Sequence, residues 1–158
     1  MTTPRVTTPC EGAIPRLDGA LAFLVRRLET NHRKRGYPME RAQYLLLGQL
    51  EDGEKSTGEI ADALGLDHST VVRQLAAVEH LGFAERRPHP RDGRSVLVGM
   101  TAFGAAAFAK MRAERCARLG MILADWSEDE QDRLGALLGR FNAALVESDK
   151  AEMAEDGQ

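Results

Sequence analysis

Apolar positions along the chain recur mostly at helical spacing, with one stretch that alternates. Leu17, Leu21, Leu24, Val25 and Leu28 fall at i, i+4, i+7, i+8 and i+11 and predict a helix from Leu17 to about Arg33. Pro38 suits the first position of a second helix, which should run to about Leu50 with Tyr44, Leu45, Leu46 and Leu47 largely buried. Glu51-Asp52-Gly53 is turn chemistry, and Lys55 and Ser56 are placed to add one short strand. Ser56 followed by Glu59 is a capping box that starts a third helix, with Ile60, Ala63 and Leu64 on its buried face and Gly65 as its stop. Asp67 caps a fourth helix to about Leu81. Val71, Leu75 and Val78 should face the core, with Val72, Ala76 and Leu81 widening the stripe, and Gly82 should end the helix.

The period then changes. Ala84–Pro88 and Arg94–Met100 read as two short strands, the second with Val96, Val98 and Met100 on one face. Between them His89-Pro90-Arg91-Asp92-Gly93 is a turn. Helical spacing returns with Thr101 as the cap of a fifth helix to about Asp125, in which Cys116 is a small core or interface residue. Ser127 and Glu130 form a second capping box. The last helix places Leu134, Leu137, Leu138, Phe141 and Leu145 at i, i+3, i+4, i+7 and i+11, and from Glu147 onward the acidic, polar chain should fray.

Two short helices joined by a glycine-containing turn have the spacing of a helix-turn-helix. The face of the fourth helix opposite its apolar stripe carries His68, Ser69, Thr70, Arg73 and Gln74, hydrogen-bonding groups concentrated in the first two turns. A recognition helix needs this arrangement, because its N-terminal end enters the major groove. A hairpin directly after it is a wing. Arg91 and Arg94 at its tip suit phosphate or a narrow minor groove, and Asp92 would hold one of them by a charge-assisted hydrogen bond.

Three stretches resemble the MarR family of bacterial transcriptional regulators: Ser56-Thr-Gly-Glu-Ile-Ala-Asp-Ala-Leu-Gly-Leu; Leu75, Glu79, Leu81-Gly82-Phe83 and Arg86-Arg87; and Pro90-Arg-Asp-Gly-Arg94 with Val98-Gly-Met-Thr101-Ala-Phe-Gly104. The chain departs at His89, where the family often has aspartate, and at Met100, where leucine is usual. The resemblance implies a homodimer binding double-stranded DNA at a pseudo-palindromic operator, most often as a repressor. It also implies release by a small aromatic ligand, with Tyr37, Tyr44 and the first helix as plausible walls of its pocket. The peroxide-sensing branch of that family uses a cysteine near the start of the first helix. Here Cys10 lies well before that helix, so a redox sensor is an alternative reading, as is a winged-helix protein-interaction module that does not bind DNA.

The expected fold is mainly α with a small β-hairpin, a winged helix-turn-helix with N- and C-terminal dimerisation helices. Residues 1–15 form a flexible arm, 16–36 and 102–150 the dimerisation helices, 37–101 the DNA-binding domain and 151–158 an acidic tail. Helices on both sides of the reader exceed what its own core needs, so a second copy is the economical partner.

The net charge of −3 sits awkwardly with a DNA binder until it is divided. Residues 1–50 carry +4, residues 51–126 carry −1 and residues 127–158 carry −6, so acid collects at the C-terminal end while the wing stays locally basic. With no apolar run near 18 residues, no signal-like N-terminus and two cysteines outside any disulfide framework, the expectation is a cytoplasmic protein with no membrane partner. No cofactor is expected, since glycine-rich phosphate loops and Cys-x-x-Cys pairs are absent and His80 with the two cysteines has no ligand spacing. No set of nucleophile, base and orienting group can be assembled, so an enzyme is not expected.

Overall fold

The computed structural model describes residues 12–33, 36–89 and 92–156, with backbone alone at the end of the first helix, around the wing tip and at the end of the last helix. The chain divides into two units, one ending at Tyr37 and one starting at Pro38. The first unit is helix α1, Ala13–Arg33. It begins one turn earlier than its apolar spacing indicates, inside the stretch expected as an arm. Pro15 is tolerated because first-turn N–H groups have no intrahelical acceptor. Leu17, Phe23, Leu24, Val25 and Leu28 of α1 are exposed.

The second unit runs α2 (Arg41–Gly48), β1 (Lys55–Ser56), α3 (Thr57–Leu64), α4 (His68–His80), β2 (Ala84–His89), β3 (Asp92–Met100), α5 (Ala102–Ile122) and α6 (Glu128–Asp156). Helix α2 does not begin at Pro38. Its N-cap is Glu40, whose backbone N–H donates to Gln43 Oε1 at 2.8 Å. The other boundaries follow local chemistry. At α3 the Glu59 carboxylate accepts from the Ser56 N–H at 2.8 Å, and Gly65 closes the helix at φ +62°. At α6 the Ser127 N–H donates to Glu130 at 2.9 Å, and the Ser127 hydroxyl accepts from the Glu130 N–H. The Ser127 N–H, and after it the Ser127 hydroxyl, which also donates to this carboxylate at 2.9 Å, hold the Glu130 carboxyl below its usual pKa. Helix α5 stops at Ile122, three residues short of expectation, whereas α6 continues through the acidic stretch to Asp156.

The core lies where α2, α3, α4, the sheet and the first half of α5 meet. Leu46, Leu47, Ile60, Val71, Leu75, Val78, Val98 and Met111 are fully enclosed. The expected widening of the α4 stripe is wrong: Val72, Ala76 and Leu81 are exposed, so the buried band is the narrow Val71–Leu75–Val78 row. Cys116 is also exposed in the single chain, not part of its core.

The sheet order is β1-β3-β2, all antiparallel, with Lys55 opposite Val98, Arg86 opposite Val98 on the other side, and Pro88 opposite Val96. Pro88 is tolerated because β2 is an edge strand. Val98 is buried and Met100 half-buried, but Val96 is exposed because the hairpin there extends past the core.

Candidate nucleic-acid interface

The start of α4 is organised by one carboxylate. Asp67 accepts from the Thr70 N–H at 2.8 Å, the Thr70 hydroxyl at 2.6 Å and the Ser69 hydroxyl at 2.5 Å. These bonds, first the Ser69 hydroxyl and then the Thr70 hydroxyl and N–H, hold the Asp67 carboxyl well below the usual carboxylate range. Ser69 and Thr70 have thus directed their hydroxyl protons into the cap. Each oxygen keeps lone pairs able to accept from a base edge or a bridging water.

His68, Ser69 and Arg73 are exposed together on the outer face of α4, with Val72, Ala76 and Ala77 beside them. Val72 is an interface candidate that periodicity assigned to the core. An exposed methyl-bearing side chain next to an arginine has the chemistry to meet a thymine methyl. Gln74, grouped with these readers from the sequence, is placed differently. It is half-buried, and its carboxamide oxygen is enclosed with no hydrogen-bond partner among the described residues. An acceptor left so costs about 1–3 kcal/mol. The reason is positional: residue 74 is three after Val71 and four before Val78, on the flank of the buried row rather than opposite it.

The wing is fixed to α4 by contacts that sequence reading did not resolve. Arg86 Nε lies 2.8 Å from Glu79 Oε1, with the glutamate the better shielded partner. On the other face of the sheet Arg87 pairs with Glu54 at 3.0 Å and with Glu85, and these two carboxylates raise its pKa further, so its charge is engaged internally. Below the hairpin, the Thr101 hydroxyl donates to the Gly82 carbonyl at 2.6 Å and accepts from the Gly104 N–H at 2.9 Å, while the Thr101 N–H donates to the Phe83 carbonyl at 3.0 Å. One threonine therefore caps α5 and locks it to the turn that ends α4. Arg91 lies outside the described residues, as do the side chains of Asp92 and Arg94. Only the backbone of the latter two is placed, in β3.

Of the two tyrosines expected in a ligand pocket, Tyr37 is half-buried at the end of the first unit. Tyr44 stacks on Phe108 at 4.7 Å between centroids, with the Arg115 guanidinium 4.7 Å above its ring. Cys10 lies outside the described residues. No group of three His, Cys, Asp or Glu that could hold a metal ion occurs among the described residues, and no described helix is long and apolar enough to cross a membrane.

Two helices at the spacing of a helix-turn-helix, followed by a hairpin and docked on a fifth helix, define a winged helix. Comparison with known proteins places it further. A model of the MarR family matches residues 37–95. An HTH-type transcriptional regulator of Bacillus subtilis, YxaD, is 36% identical over 115 residues, covering 72% of this chain and 80% of the relative. The solved structure of the transcriptional regulator SlyA superposes with a TM-score of 0.68 at 22% identity, covering 88% of this chain and 98% of the other. A mutant MarR from E. coli complexed with operator DNA superposes at 0.61 and 24% identity, covering 77% of this chain and 93% of the other. The chain belongs to the MarR family, whose members matched here are transcriptional regulators and not enzymes.

Proposed function

We propose that this protein is a cytoplasmic, homodimeric repressor that reads a pseudo-palindromic operator with α4 and anchors to flanking backbone with the wing. The carrying observation is the start of α4, where the Asp67 cap presents Ser69, Thr70 and His68 around the exposed Arg73. Such a helix end enters a major groove with its hydrogen-bonding side chains foremost. Arg73 and Val72 are assigned to base edges, Ser69 and Thr70 to donors on base edges or to bridging waters, and His68 to bases or phosphate. Arg91 and Arg94, oriented by Asp92, are assigned to the backbone or minor groove. The MarR–operator complex supports this reading through shared fold.

Dimerisation follows from the apolar side chains left in water. Leu24 and Leu28 of α1, Leu119 and Ile122 of α5, and Leu137 and Leu145 of α6 are all exposed. A second copy would cover them and set two α4 helices about one helical turn apart. Release by a small aromatic ligand completes the proposal as a population shift toward wrongly spaced reading heads.

Selection from a random duplex pool with the purified protein tests the reading. Enriched sequences should contain two inverted half-sites about ten base pairs apart, centre to centre. A pool that returns without enrichment would overturn it in favour of a protein-interaction module.

A further inference from the structure

Helix α6 has two faces with different surroundings. Leu134, Leu137, Leu138, Phe141 and Leu145 form its apolar stripe, of which Leu137, Leu138 and Leu145 stand exposed. Val146 follows Leu145 by one residue, so it lies about 100° round the helix from that stripe. It is nevertheless the one residue from Asn142 to Lys150 that is not exposed. What stands over it is the turn of the helix-turn-helix. A Cβ built on Gly65 would lie 3.4 Å from Val146 Cγ2, and 3.6 Å from Val146 Cα and from Asp149 Oδ2. Ala61, Asp62, Gly65, Leu66 and Lys150 line a seam of about 160 Å³ at this junction. That is below the ~300 Å³ at which small-molecule sites begin. The seam is a meeting of two elements, with slack for about one more methyl group.

The junction matters for its place on the reading helix. Helix α5 secures the C-terminal end of α4 through Thr101, which bonds to the Gly82 and Phe83 carbonyls. Helix α6 meets Gly65, two residues before the Asp67 cap at the other end. The 13 residues of α4 separate these two holds by about 20 Å. With the α5 hold alone, α4 could swing about its C-terminal end. Its N-terminal end, which carries His68, Ser69 and Thr70, would then move furthest.

We infer that Val146 is a positioning residue for operator spacing: by bearing on the α3–α4 turn it stops that swing and fixes the distance of each α4 from the two-fold axis of the dimer. The inference rests on α4 being the reading helix of a symmetric dimer. Moving one half-site by one base pair displaces it by about 3.4 Å and turns it by about 35°. A head free to swing follows part of that displacement. A braced head cannot follow it without breaking base contacts, so the brace makes the dimer reject wrongly spaced half-sites.

The test compares the full-length wild type with Val146→Ala and Val146→Ile in two measurements. The first contains no DNA. Amide hydrogen exchange by NMR follows Gly65 and Leu66, whose N–H groups both donate to the Ala61 carbonyl, and Phe83, whose N–H donates to the Val78 carbonyl. Val146→Ala should speed exchange at Gly65 and Leu66 about fourfold, the worth of one buried methylene, and leave Phe83 unchanged. Alanine is the better helix former, so the variant does not weaken α6 itself. The second measurement is fluorescence anisotropy on the selected operator and on versions with the half-sites one base pair closer and one farther apart. The wild type should prefer the selected spacing by about tenfold, the scale of one lost base contact. Val146→Ala should cut that preference about fourfold with no change in the dimer dissociation constant. Val146→Ile, which fills the slack in the seam, should keep the preference or sharpen it.

Unchanged exchange at Gly65 and Leu66 in Val146→Ala would overturn the brace. Faster exchange with an unchanged spacing preference would overturn the positioning role. A protein that selects no operator, yet exchanges faster at Gly65 and Leu66 in Val146→Ala, would refute the DNA reading and the spacing role with it, and leave the brace standing.

Discussion

Gly104 and Phe83 are in backbone contact: a Cβ built on Gly104 would overlap the carbonyl oxygen of Phe83 and stand 2.7 Å from its carbonyl carbon. The same carbonyl accepts the Thr101 N–H, so α5 is seated on the turn between α4 and the wing with no room for a methyl group. This gives a physical reason for glycine three residues after the capping threonine. In an ordinary helix Gly→Ala would gain about 1 kcal/mol. Here overpacking against a backbone carbonyl, which cannot rotate away, should outweigh that gain and leave Gly104→Ala destabilised by about 2 kcal/mol. Chemical denaturation of the variant checks it, and a midpoint at or above the wild type would show that α5 can lift off this turn at little cost.

Much of this arrangement is legible in the sequence wherever one residue type settles a local geometry. Ser56 with Glu59, Asp67 before His68, Ser127 with Glu130, and Gly65 after Leu64 each mark a helix end by chemistry that acts within four residues. Lys55–Ser56 could be placed as a strand because the chain must bridge a turn and a cap. What escaped was decided across the fold. Pro38 is a good first helical residue, yet the helix waits for Glu40, where Gln43 can accept from the cap N–H. Val72 looks like core until the sheet and α3 fill the space beside Val71 and Leu75. The ion pairs Glu79–Arg86 and Glu54–Arg87 join residues seven and 33 apart in sequence, and no local pattern announces them.

The Asp67 cap should give the protein a measurable acid sensitivity. Its folded-state pKa is lowered from an ordinary value of 3.8, so the cap contributes stability that is complete above that value and is lost as pH falls through and below it. Asparagine caps a helix without titrating. Thermal midpoints of the wild type and Asp67→Asn should therefore differ most between pH 5 and 7, and the gap should begin to narrow only below about pH 4 and go on narrowing below pH 3. A gap that stays constant with pH would remove the carboxylate from the account.

The Glu79–Arg86 pair tests whether the wing is positioned or merely attached. Both partners are partly solvated, so the pair adds only about 0.5 kcal/mol to stability. Glu79→Gln should accordingly change the denaturation midpoint little. Operator affinity should fall by more than the stability change accounts for, because the wing loses its fixed angle to α4. Equal small effects on both would make the pair incidental.

The exposed leucines of α1 and α6 predict a dimer in sedimentation at micromolar concentration. Burying one leucine contributes about 1.5–3 kcal/mol. Leu24→Asp combined with Leu137→Asp should raise the dimer dissociation constant at least tenfold and weaken operator binding with it. A wild-type protein that sediments as a monomer while still bound to its full operator would contradict the symmetric reader.

The most direct measurement is fluorescence anisotropy of the selected operator and of a scrambled duplex, across a salt series, with Arg73→Ala and Arg94→Ala alongside the wild type. The account predicts specific binding that falls steeply with salt. Arg73→Ala should cost about 1–3 kcal/mol and relax discrimination at one base position of each half-site. Arg94→Ala should weaken operator and scrambled duplex alike and reduce the salt slope by about one. Binding that ignores sequence, or that is indifferent to Arg73, would contradict the claim that α4 reads the operator.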